Sequence, residues 1–170
     1  MSGNRPNVWS STSHDREFEE IEAFVTLLGK SIDATDFNRQ FANDVVWGSP
    51  SGYVISGFDE LHALHQRFFT GAMKTNLSRF TLVNLVLYDP CLAVVHVRRD
   101  AIDAEDRIID PAAQPDPLIF HEIAMYVLVK RDGTWWLAAG QNTPIRANLL
   151  DRVVPPENMN SRELVPRVAA

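Results

Sequence analysis

Residues 120–146 constrain the fold more than any other part of the chain. They read FHEIAMYVLVKRDGTWWLAAGQNTPIR, two apolar runs on either side of the turn sequence Arg131-Asp132-Gly133. Aspartate and glycine between two such runs are typical of a β-hairpin. The far ends of the two runs are polar, at His121, Glu122, Gln141 and Asn142. An apolar hairpin with polar far ends predicts a sheet that closes over a pocket.

Length and charge limit the class of protein. At 170 residues the chain is large enough for one domain with a substantial core. The formal net charge is -6 and no basic stripe is present, so we expect no nucleic-acid partner. No apolar run approaches the roughly 20 residues of a membrane helix, and residues 1–14 lack the core of a signal peptide. We therefore expect a cytoplasmic protein with no membrane partner.

The sequence contains no signature of a metal or cofactor. Cys91 is the one cysteine, which excludes an internal disulfide and a cysteine-based zinc site. His62 and His65 have a spacing that can bind a metal, but no acidic or histidine partner is evident nearby. No nucleophile elbow, phosphate-binding glycine loop or dinucleotide fingerprint occurs. We expect no metal and no cofactor.

Residue patterns predict three helices and six strands in a single domain over residues 15–147. The first predicted helix begins at Asp15, and the other two span 34–41 and 58–70. The predicted strands span 44–47, 53–55, 77–87 and 92–102, and the two strands of the hairpin follow them. Residues 1–14 are predicted to be a flexible arm, 103–117 an acidic loop and 148–170 an extended tail. Segregated helices followed by a strand meander predict an α+β fold, a curved antiparallel sheet with the helices on its concave face.

Three segments, read in order, resemble a known superfamily. They are FANDVVWGSPSGYVISGFDELHALH, LAVVHVRR and RDGTWWLAAGQNTP, and the resemblance covers residues 18–147. This pattern resembles the nuclear transport factor 2-like superfamily, the cone-shaped, cystatin-like fold shared by ketosteroid isomerase and SnoaL-like polyketide cyclases. It is most similar to a SnoaL-like family of natural-product biosynthesis, sometimes labelled oxidoreductase. The resemblance implies a cone that encloses a small-molecule cavity.

The third segment departs from the family pattern at one position. The family usually has His-Asn-Thr there, whereas this chain has Gln141-Asn142-Thr143. Glutamine cannot transfer a proton, so Gln141 can orient a ligand only through hydrogen bonds.

The register of the hairpin decides which of its side chains face inward. A three-residue loop at Arg131-Asp132-Gly133 pairs Lys130 with Thr134 and places Trp135, Leu137 and Ala139 on the core face. A two-residue Asp-Gly turn instead shifts the pairing and brings His121 to the face of Asn142. We prefer the three-residue loop. The outer face then carries Tyr126, Leu128 and Trp136, and its apolar character predicts a homodimer that packs sheet against sheet.

Two histidines are the candidates for proton transfer. His65 lies on the inward stripe of the third helix, with Leu61, Leu64 and Phe68. His96 is in the middle of a strand, two residues before Arg98 and on the same face. A buried histidine beside a cation tends to stay neutral and can act as a base. The alternative for both is a structural histidine with satisfied hydrogen bonds, and Arg98 can equally be half of an ion pair with Asp100 or Glu122.

Other polar and aromatic side chains are candidates for ligand binding. An indole or a phenol can hydrogen-bond a ligand while its ring lines an apolar wall. For Trp47 the alternative is core filling, for Tyr53 exposure on an edge strand, and for His121 a solvent-facing strand end. The candidate ligand-binding residues are Trp47, Tyr53, Arg98, His121, Met125, Gln141 and Asn142.

These residues predict a cofactor-independent enzyme that acts on a small, apolar natural-product intermediate by acid–base chemistry, as an isomerase, cyclase or hydratase. A copy of the ketosteroid isomerase mechanism is disfavoured, because Asp100 and Glu122 are the only plausible strand carboxylates and an Arg-paired aspartate is a weak base. One alternative is a non-catalytic small-molecule binding or accessory protein. Another is an interaction module that recruits a partner enzyme.

Overall fold

The computed structural model of the chain describes residues 8, 14–71, 77–111, 113 and 119–145. The predicted tail at 148–170 lies outside these residues. So does the predicted arm at 1–14, apart from Val8 and His14. Among the described residues, no helix is long and apolar enough to cross a bilayer.

Three helices and six strands make up the described fold. They are α1 (Asp15–Lys30), α2 (Ala34–Phe37), β1 (Phe41–Gly48), β2 (Val54–Ser56), α3 (Phe58–Thr70), β3 (Leu77–Asp89), β4 (Leu92–Ile102), β5 (Glu122–Arg131) and β6 (Thr134–Pro144). The strands form one sheet in the order β2-β1-β6-β5-β4-β3. The α+β prediction is confirmed. The sheet is not wholly antiparallel, however, because β1 joins β6 in parallel.

Most predicted elements are confirmed, and the differences have local causes. Helix α3 and strand β4 have the predicted bounds. Helix α2 ends at Phe37 rather than at residue 41, because residues 38–40 form a turn and Phe41 already begins β1. The Asp33 side chain caps α2 by accepting a hydrogen bond from the Asp36 backbone N–H at 2.8 Å.

Helix α1 is amphipathic and packs its apolar stripe against the sheet. Acidic residues in its first turn suit the positive end of the helix dipole, and Ile21, Phe24, Val25 and Leu28 are buried. Two residues of the predicted stripe are exposed: Phe18, and Ile32 at 84% exposure, which lies beyond the helix end at Lys30. Phe68 on the α3 stripe is exposed as well.

The hairpin uses a two-residue turn, so the predicted three-residue loop is wrong. Asp132 and Gly133 both have positive φ, 51° and 77°, as a type I′ turn requires. Arg131 therefore pairs with Thr134, and Leu128 pairs with Leu137. Tyr126 and Leu128, expected on the outer face, are core residues instead. Trp136, partly buried, does lie on the outer face as predicted, but without Tyr126 and Leu128 beside it.

A β-bulge in β6 also alters which side chains of this strand face the core. Leu128 pairs with Leu137 but Val127 pairs with Ala139, so Ala138 is an extra residue in β6. Beyond the bulge, Gly140 and Asn142 share the core face with Leu137, and Gln141 points to the other side. The predicted inward position of Gln141 is therefore wrong, because the prediction assumed that side chains alternate regularly between the two faces along β6, with no bulge.

Gly140 allows two core rings to meet. A Cβ atom at this position would lie 2.9 Å from the Trp47 indole and 3.1 Å from the Tyr126 ring. The Trp47 and Tyr126 ring centroids are 5.7 Å apart, and both side chains are buried. Since Trp47 belongs to β1 and Tyr126 to β5, this packing joins the short strands to the hairpin across β6.

Gly140→Ala should destabilise the fold. The added methyl group overlaps the Trp47 ring, and overpacking of a core costs about 1–3 kcal/mol. Urea unfolding, followed by tryptophan fluorescence, measures the loss.

The matched control is Gly29→Ala near the end of α1. Its nearest contact there would be the Phe80 backbone nitrogen at 3.5 Å, an ordinary van der Waals distance. Alanine is the better helix former, so stability should be unchanged or rise by up to about 1 kcal/mol. Equal losses from the two substitutions would contradict the packing described for Gly140.

Candidate functional site

Three polar side chains lie on the core face at one end of the hairpin. Arg99 is directly opposite Glu122 in the β4–β5 ladder. Asn142 of β6 reaches the same face because of the bulge at Ala138. Glu122 is 6% exposed and Asn142 8%, and the next inward residue of β5 is Ala124. The polar cluster of Arg99, Glu122 and Asn142 therefore borders the apolar core.

Hydrogen bonding within the polar cluster is incomplete. The Asn142 Nδ2 donates to Glu122 Oε1 at 3.2 Å, and Arg99 Nη1 lies 3.7 Å from the same oxygen. The other two oxygens, Glu122 Oε2 and Asn142 Oδ1, are buried and have no hydrogen-bond partner among the described residues. A buried polar atom without a partner is costly, so native proteins keep few of them, often at sites of function.

Arg99 is held mainly by groups other than the carboxylate. Its Nε donates to Ser78 Oγ at 3.2 Å and its Nη1 donates to the Phe120 carbonyl at 3.4 Å. Its guanidinium lies 4.9 Å from the centroid of the Phe120 ring. The guanidinium is therefore fixed near Glu122 without a short, direct salt bridge to it.

Burial raises the pKa of the Glu122 carboxyl group. The positive charge of Arg99 and the hydrogen bond from Asn142 act in the opposite direction but do not cancel the loss of hydration. A carboxyl group with a raised pKa holds its proton more readily than an ordinary glutamate, which favours a role in proton transfer. Burial, and then the charge of Glu122, also raise the pKa of the Tyr126 phenol, which therefore stays protonated.

His65 is buried in a hydrogen-bonded network of its own. Its Nδ1 is 2.7 Å from Asn38 Oδ1, and Asn38 Nδ2 is 3.0 Å from His62 Nδ1. Because an amide oxygen only accepts, His65 Nδ1 carries the proton and donates it, which leaves Nε2 as an acceptor. Burial, with a smaller effect of His62, lowers the pKa of His65 to about 4. The ring is neutral at physiological pH.

Aromatic rings surround His65. Its ring centroid is 5.1 Å from Phe37, 6.0 Å from Phe41 and 5.7 Å from Trp47, each in an edge-on arrangement. Trp47 contacts both His65 and Tyr126. His65 is thus inward, as the helix pattern predicted, and Trp47 is part of the core.

The other predicted catalytic residue, His96, is on the opposite face of the sheet from the core. It pairs with Met125, which is 43% exposed, while its neighbours Val95 and Val97 are buried in the core. Met125 in turn pairs with Gln141, which is also exposed. The expected inward positions of His96, Met125 and Gln141 are therefore wrong, because strand alternation places all three on the outer face.

Arg98 and His121 meet at Asp100 rather than at the polar cluster. Arg98 Nε lies 2.9 Å from both carboxylate oxygens of Asp100, the ion pair that was the alternative to ligand binding. His121 Nδ1 lies 3.2 Å from Asp100 Oδ1 and also 3.2 Å from the Ala101 backbone nitrogen. The two side chains are partners of one buried carboxylate. Tyr53 is 72% exposed in the loop before β2.

Two hollows formed by the described residues lie away from the predicted site. A hollow of about 40 Å³ lies between α1 and α2, beside Phe24, Phe37 and Gln40. A wider groove between α2 and α3 is lined by Asp33 and Arg67 among others. Neither is lined by His65, Trp47, Glu122 or Asn142. The described part of the chain brings together no group of three His, Cys, Asp or Glu side chains that could hold a metal.

Glu122 is the functional candidate that sequence reasoning underrated. The sequence identifies Glu122 as a strand carboxylate, but the register of a three-residue loop turns its side chain away from the core. The turn sequence contained the information needed for the correct register. Counting back from a two-residue Asp132-Gly133 turn puts Leu128, Tyr126, Ala124 and Glu122 on one face, and the first three are apolar or aromatic.

Solved structures show what fold this chain has. It superposes on a cystatin-like domain of unknown function from Nostoc punctiforme with a TM-score of 0.65 and 18% identity, over 83% of this chain and 86% of that one. It matches a candidate scytalone dehydratase from Novosphingobium aromaticivorans with a TM-score of 0.60 and 15% identity, over 77% and 85%. A ketosteroid isomerase-like protein from Erwinia carotovora matches with a TM-score of 0.57 and 18% identity, over 78% and 98%.

These similarities confirm the nuclear transport factor 2-like, cystatin-like fold that the sequence resembles. At such low identity, they establish the fold alone. No protein-family model matches the chain, and no curated protein matches it.

The stability of the fold should fall as the pH drops from about 6.5 to about 4, because of His65. Its pKa is lowered from 6.5 to about 4, so the unfolded chain binds a proton in this range that the folded chain does not. Stability from this residue is complete above pH 6.5 and is lost towards pH 4, by up to about 3 kcal/mol. Urea unfolding at a series of pH values measures the slope.

His65→Gln isolates this effect, since glutamine can still donate to Asn38 Oδ1 but does not titrate. Between pH 7 and pH 4 the variant should lose less stability than the wild type. Above pH 7 the difference between the two proteins should be constant. Parallel curves across the whole range would contradict a neutral, buried His65.

Proposed function

We propose that this chain is a cofactor-independent enzyme that moves protons on a small, largely apolar molecule, with Glu122 as the acid–base group. The observation that carries the proposal is the state of the polar cluster. Within the part of the chain that the structure describes, a buried carboxyl group of raised pKa has one oxygen without a partner, next to an amide oxygen that also has none. In a structural ion pair, further hydrogen bonds normally satisfy the remaining polar atoms, whereas the pair of Arg99 and Glu122 leaves one carboxyl oxygen unsatisfied.

A single carboxyl group is sufficient for the chemistry, because it can take a proton and return it. In an isomerisation, the Glu122 carboxylate removes a proton from a carbon beside a carbonyl and returns it to another carbon. In a dehydration, the same proton goes to a hydroxyl group on the next carbon, the one adjacent to the carbon that lost the proton. The C–O bond then breaks, a C=C bond forms, water leaves and the carboxylate is restored. Neither reaction needs an oxidant or reductant.

The neighbouring residues have supporting roles in this proposal. Arg99 provides a fixed positive charge near the carboxyl group, and Asn142 orients it through the hydrogen bond to Oε1. Tyr126 and Trp47 form an aromatic wall beside the cluster. His65, neutral and with Nε2 as an acceptor, lines the far side of Trp47.

The similar structures support a reaction of this class. Two of them are named for a dehydratase and for an isomerase, and both reactions move protons on small molecules. The SnoaL-like resemblance of the sequence adds a natural-product intermediate, such as a polyketide, as the substrate class. These similarities support the class of reaction, while the choice of Glu122 rests on the cluster itself.

A non-catalytic small-molecule binding protein is the second candidate. Gln141 stands where the resembled family has histidine, and it is turned outward. Close packing of aromatic rings around His65 also favours this candidate over a catalytic role for that histidine. Binding of a ligand without any conversion would select it.

We also propose that the chain forms a homodimer through the outer face of the sheet. One row of side chains crosses this face from β1 to β3 and is apolar throughout. The row consists of Val46, Ala139, Val127, Val94 and Val86, as the strand pairings place them. A continuous apolar row on an outer face is typical of a contact between copies.

Glu122→Gln tests the catalytic proposal. A suitable probe is 3-hydroxy-1-tetralone, which loses water to form 1-naphthol and so reports dehydration by fluorescence. Glutamine preserves the shape of glutamate but cannot carry a proton, so we expect a loss of at least about 100-fold in rate. The exposed Glu22→Gln is the control and should retain full activity.

The same variant has a second readout in stability. Because the pKa of Glu122 is raised, the folded chain holds its proton more tightly than the unfolded chain, and ionisation at higher pH destabilises the fold. Glu122→Gln should therefore be more stable than the wild type at pH 8. This gain should shrink as the pH falls through the raised pKa of the folded state, and it should be absent below the ordinary glutamate pKa. A destabilised variant with unchanged activity would mean that Glu122 is structural.

Val127→Lys tests the homodimer. A lysine in the centre of the apolar row would bury a charge in the contact, so we expect a monomer in sedimentation-equilibrium experiments where the wild type is a dimer. Leu27→Lys, on the exposed side of α1, is the control and should leave the mass unchanged. A monomeric wild type would refute this proposal.

A further inference from the structure

We infer that the pair formed by Glu122 and Asn142 recognises a hydroxyl group of the substrate, and that Asn142 selects an alcohol over the corresponding ketone. This inference rests on the proposed function, because it names the substrate group that the same site binds. It adds a specificity-determining residue that the reaction class alone does not require.

The starting point is the pair of oxygens without partners. Glu122 and Asn142 are each more than nine-tenths buried, and no described residue forms a hydrogen bond with Glu122 Oε2 or with Asn142 Oδ1. The two side chains are joined through Asn142 Nδ2 and Glu122 Oε1 at 3.2 Å. This bond fixes the orientation of the amide, so its oxygen remains an acceptor that needs a donor.

Two neighbouring side chains donate hydrogen bonds to groups other than these two oxygens. Arg99 donates to Ser78 Oγ and to the Phe120 carbonyl. The side-chain amide of Gln141 donates to the Asn142 backbone carbonyl at 3.0 Å, so it is committed away from the cluster. Among the described residues no donor reaches Asn142 Oδ1, so a bound molecule can supply one.

Counting donors and acceptors selects the ligand group. When Glu122 is protonated, Oε2 can donate a hydrogen bond and Asn142 Oδ1 can accept one. An alcohol hydroxyl matches both, since its oxygen accepts from Glu122 and its hydrogen is donated to Asn142. A ketone oxygen accepts from Glu122 but leaves Asn142 Oδ1 buried without a partner.

An alcohol is also preferred to a ketone when Glu122 is ionised. Both free oxygens are then acceptors, and a hydroxyl group can still satisfy one of them, whereas a ketone satisfies neither. An alcohol is therefore preferred in either protonation state. A site that hydrogen-bonds a hydroxyl discriminates strongly against an analogue without it, because its own buried polar groups lose their partners.

The experiment compares two ligands that share one carbon skeleton. Binding of 1-tetralol and of 1-tetralone to the full chain is measured by titration, with the side-chain amide signal of Asn142 followed by nuclear magnetic resonance. We expect the alcohol to bind the wild type at least about 10-fold more tightly than the ketone. The alcohol should also shift the Asn142 signal more than the ketone does.

Asn142→Leu should remove this preference, because leucine has a similar size and no acceptor. Thr143→Val is the control. Thr143 lies next to Asn142 on β6 but points to the exposed face, so the preference should remain. The wild-type comparison does not depend on whether the leucine variant folds, and circular dichroism shows whether it does.

Each result decides the inference. An alcohol preference that Asn142→Leu abolishes supports it. Equal binding of the two ligands, as when a water molecule occupies the site, overturns it, and so does tighter binding of the ketone, no binding of either, or a preference that persists in a folded leucine variant. Dehydration of 3-hydroxy-1-tetralone that depends on Glu122 would still stand in those cases, so the two proposals can fail separately.

Discussion

The packing of Trp47 against Tyr126 over Gly140 is the contact on which the rest of this fold depends. It brings an indole from β1 and a phenol from β5 together above β6, where only a glycine leaves enough room. Because β1 joins β6 in parallel, the chain must return across the sheet before this contact can form. The same rings then form the wall between His65 and the polar cluster. Loss of this contact would separate the helical side from the hairpin.

The polar cluster lowers the stability of the fold, and burial of the apolar core compensates for this loss. Glu122 loses hydration that Arg99 only partly replaces, and two buried oxygens have no partner in residues 14–71, 77–111 and 119–145. A sequence selected for stability alone would replace these residues by apolar ones of similar volume. Their presence next to Ala124 and Tyr126 is most simply explained by a ligand that completes the hydrogen bonds. His65, by contrast, has its Nδ1 satisfied by Asn38 and is well suited to a structural role.

Adjacent residues in these strands belong to different sides of the molecule. Arg98 faces outward to Asp100, whereas Arg99 faces the core. Gln141 and Asn142 differ in the same way, because the strand period is two. A shift of one residue therefore moves a side chain from one face of the sheet to the other.

The sequence by itself determined the elements and the fold class. Helical periodicity, turn residues and β-branched runs are local signals, and they located α3 and β4 to the residue. It did not determine the inward face of the hairpin. That face depends on the turn type at Asp132-Gly133 and on the bulge at Ala138, and the core that covers it includes Trp47, which β1 brings from outside the hairpin. His96 was misplaced because strand alternation alone does not say which face is covered, and Glu122 became a candidate only when three strands brought Arg99 and Asn142 to it.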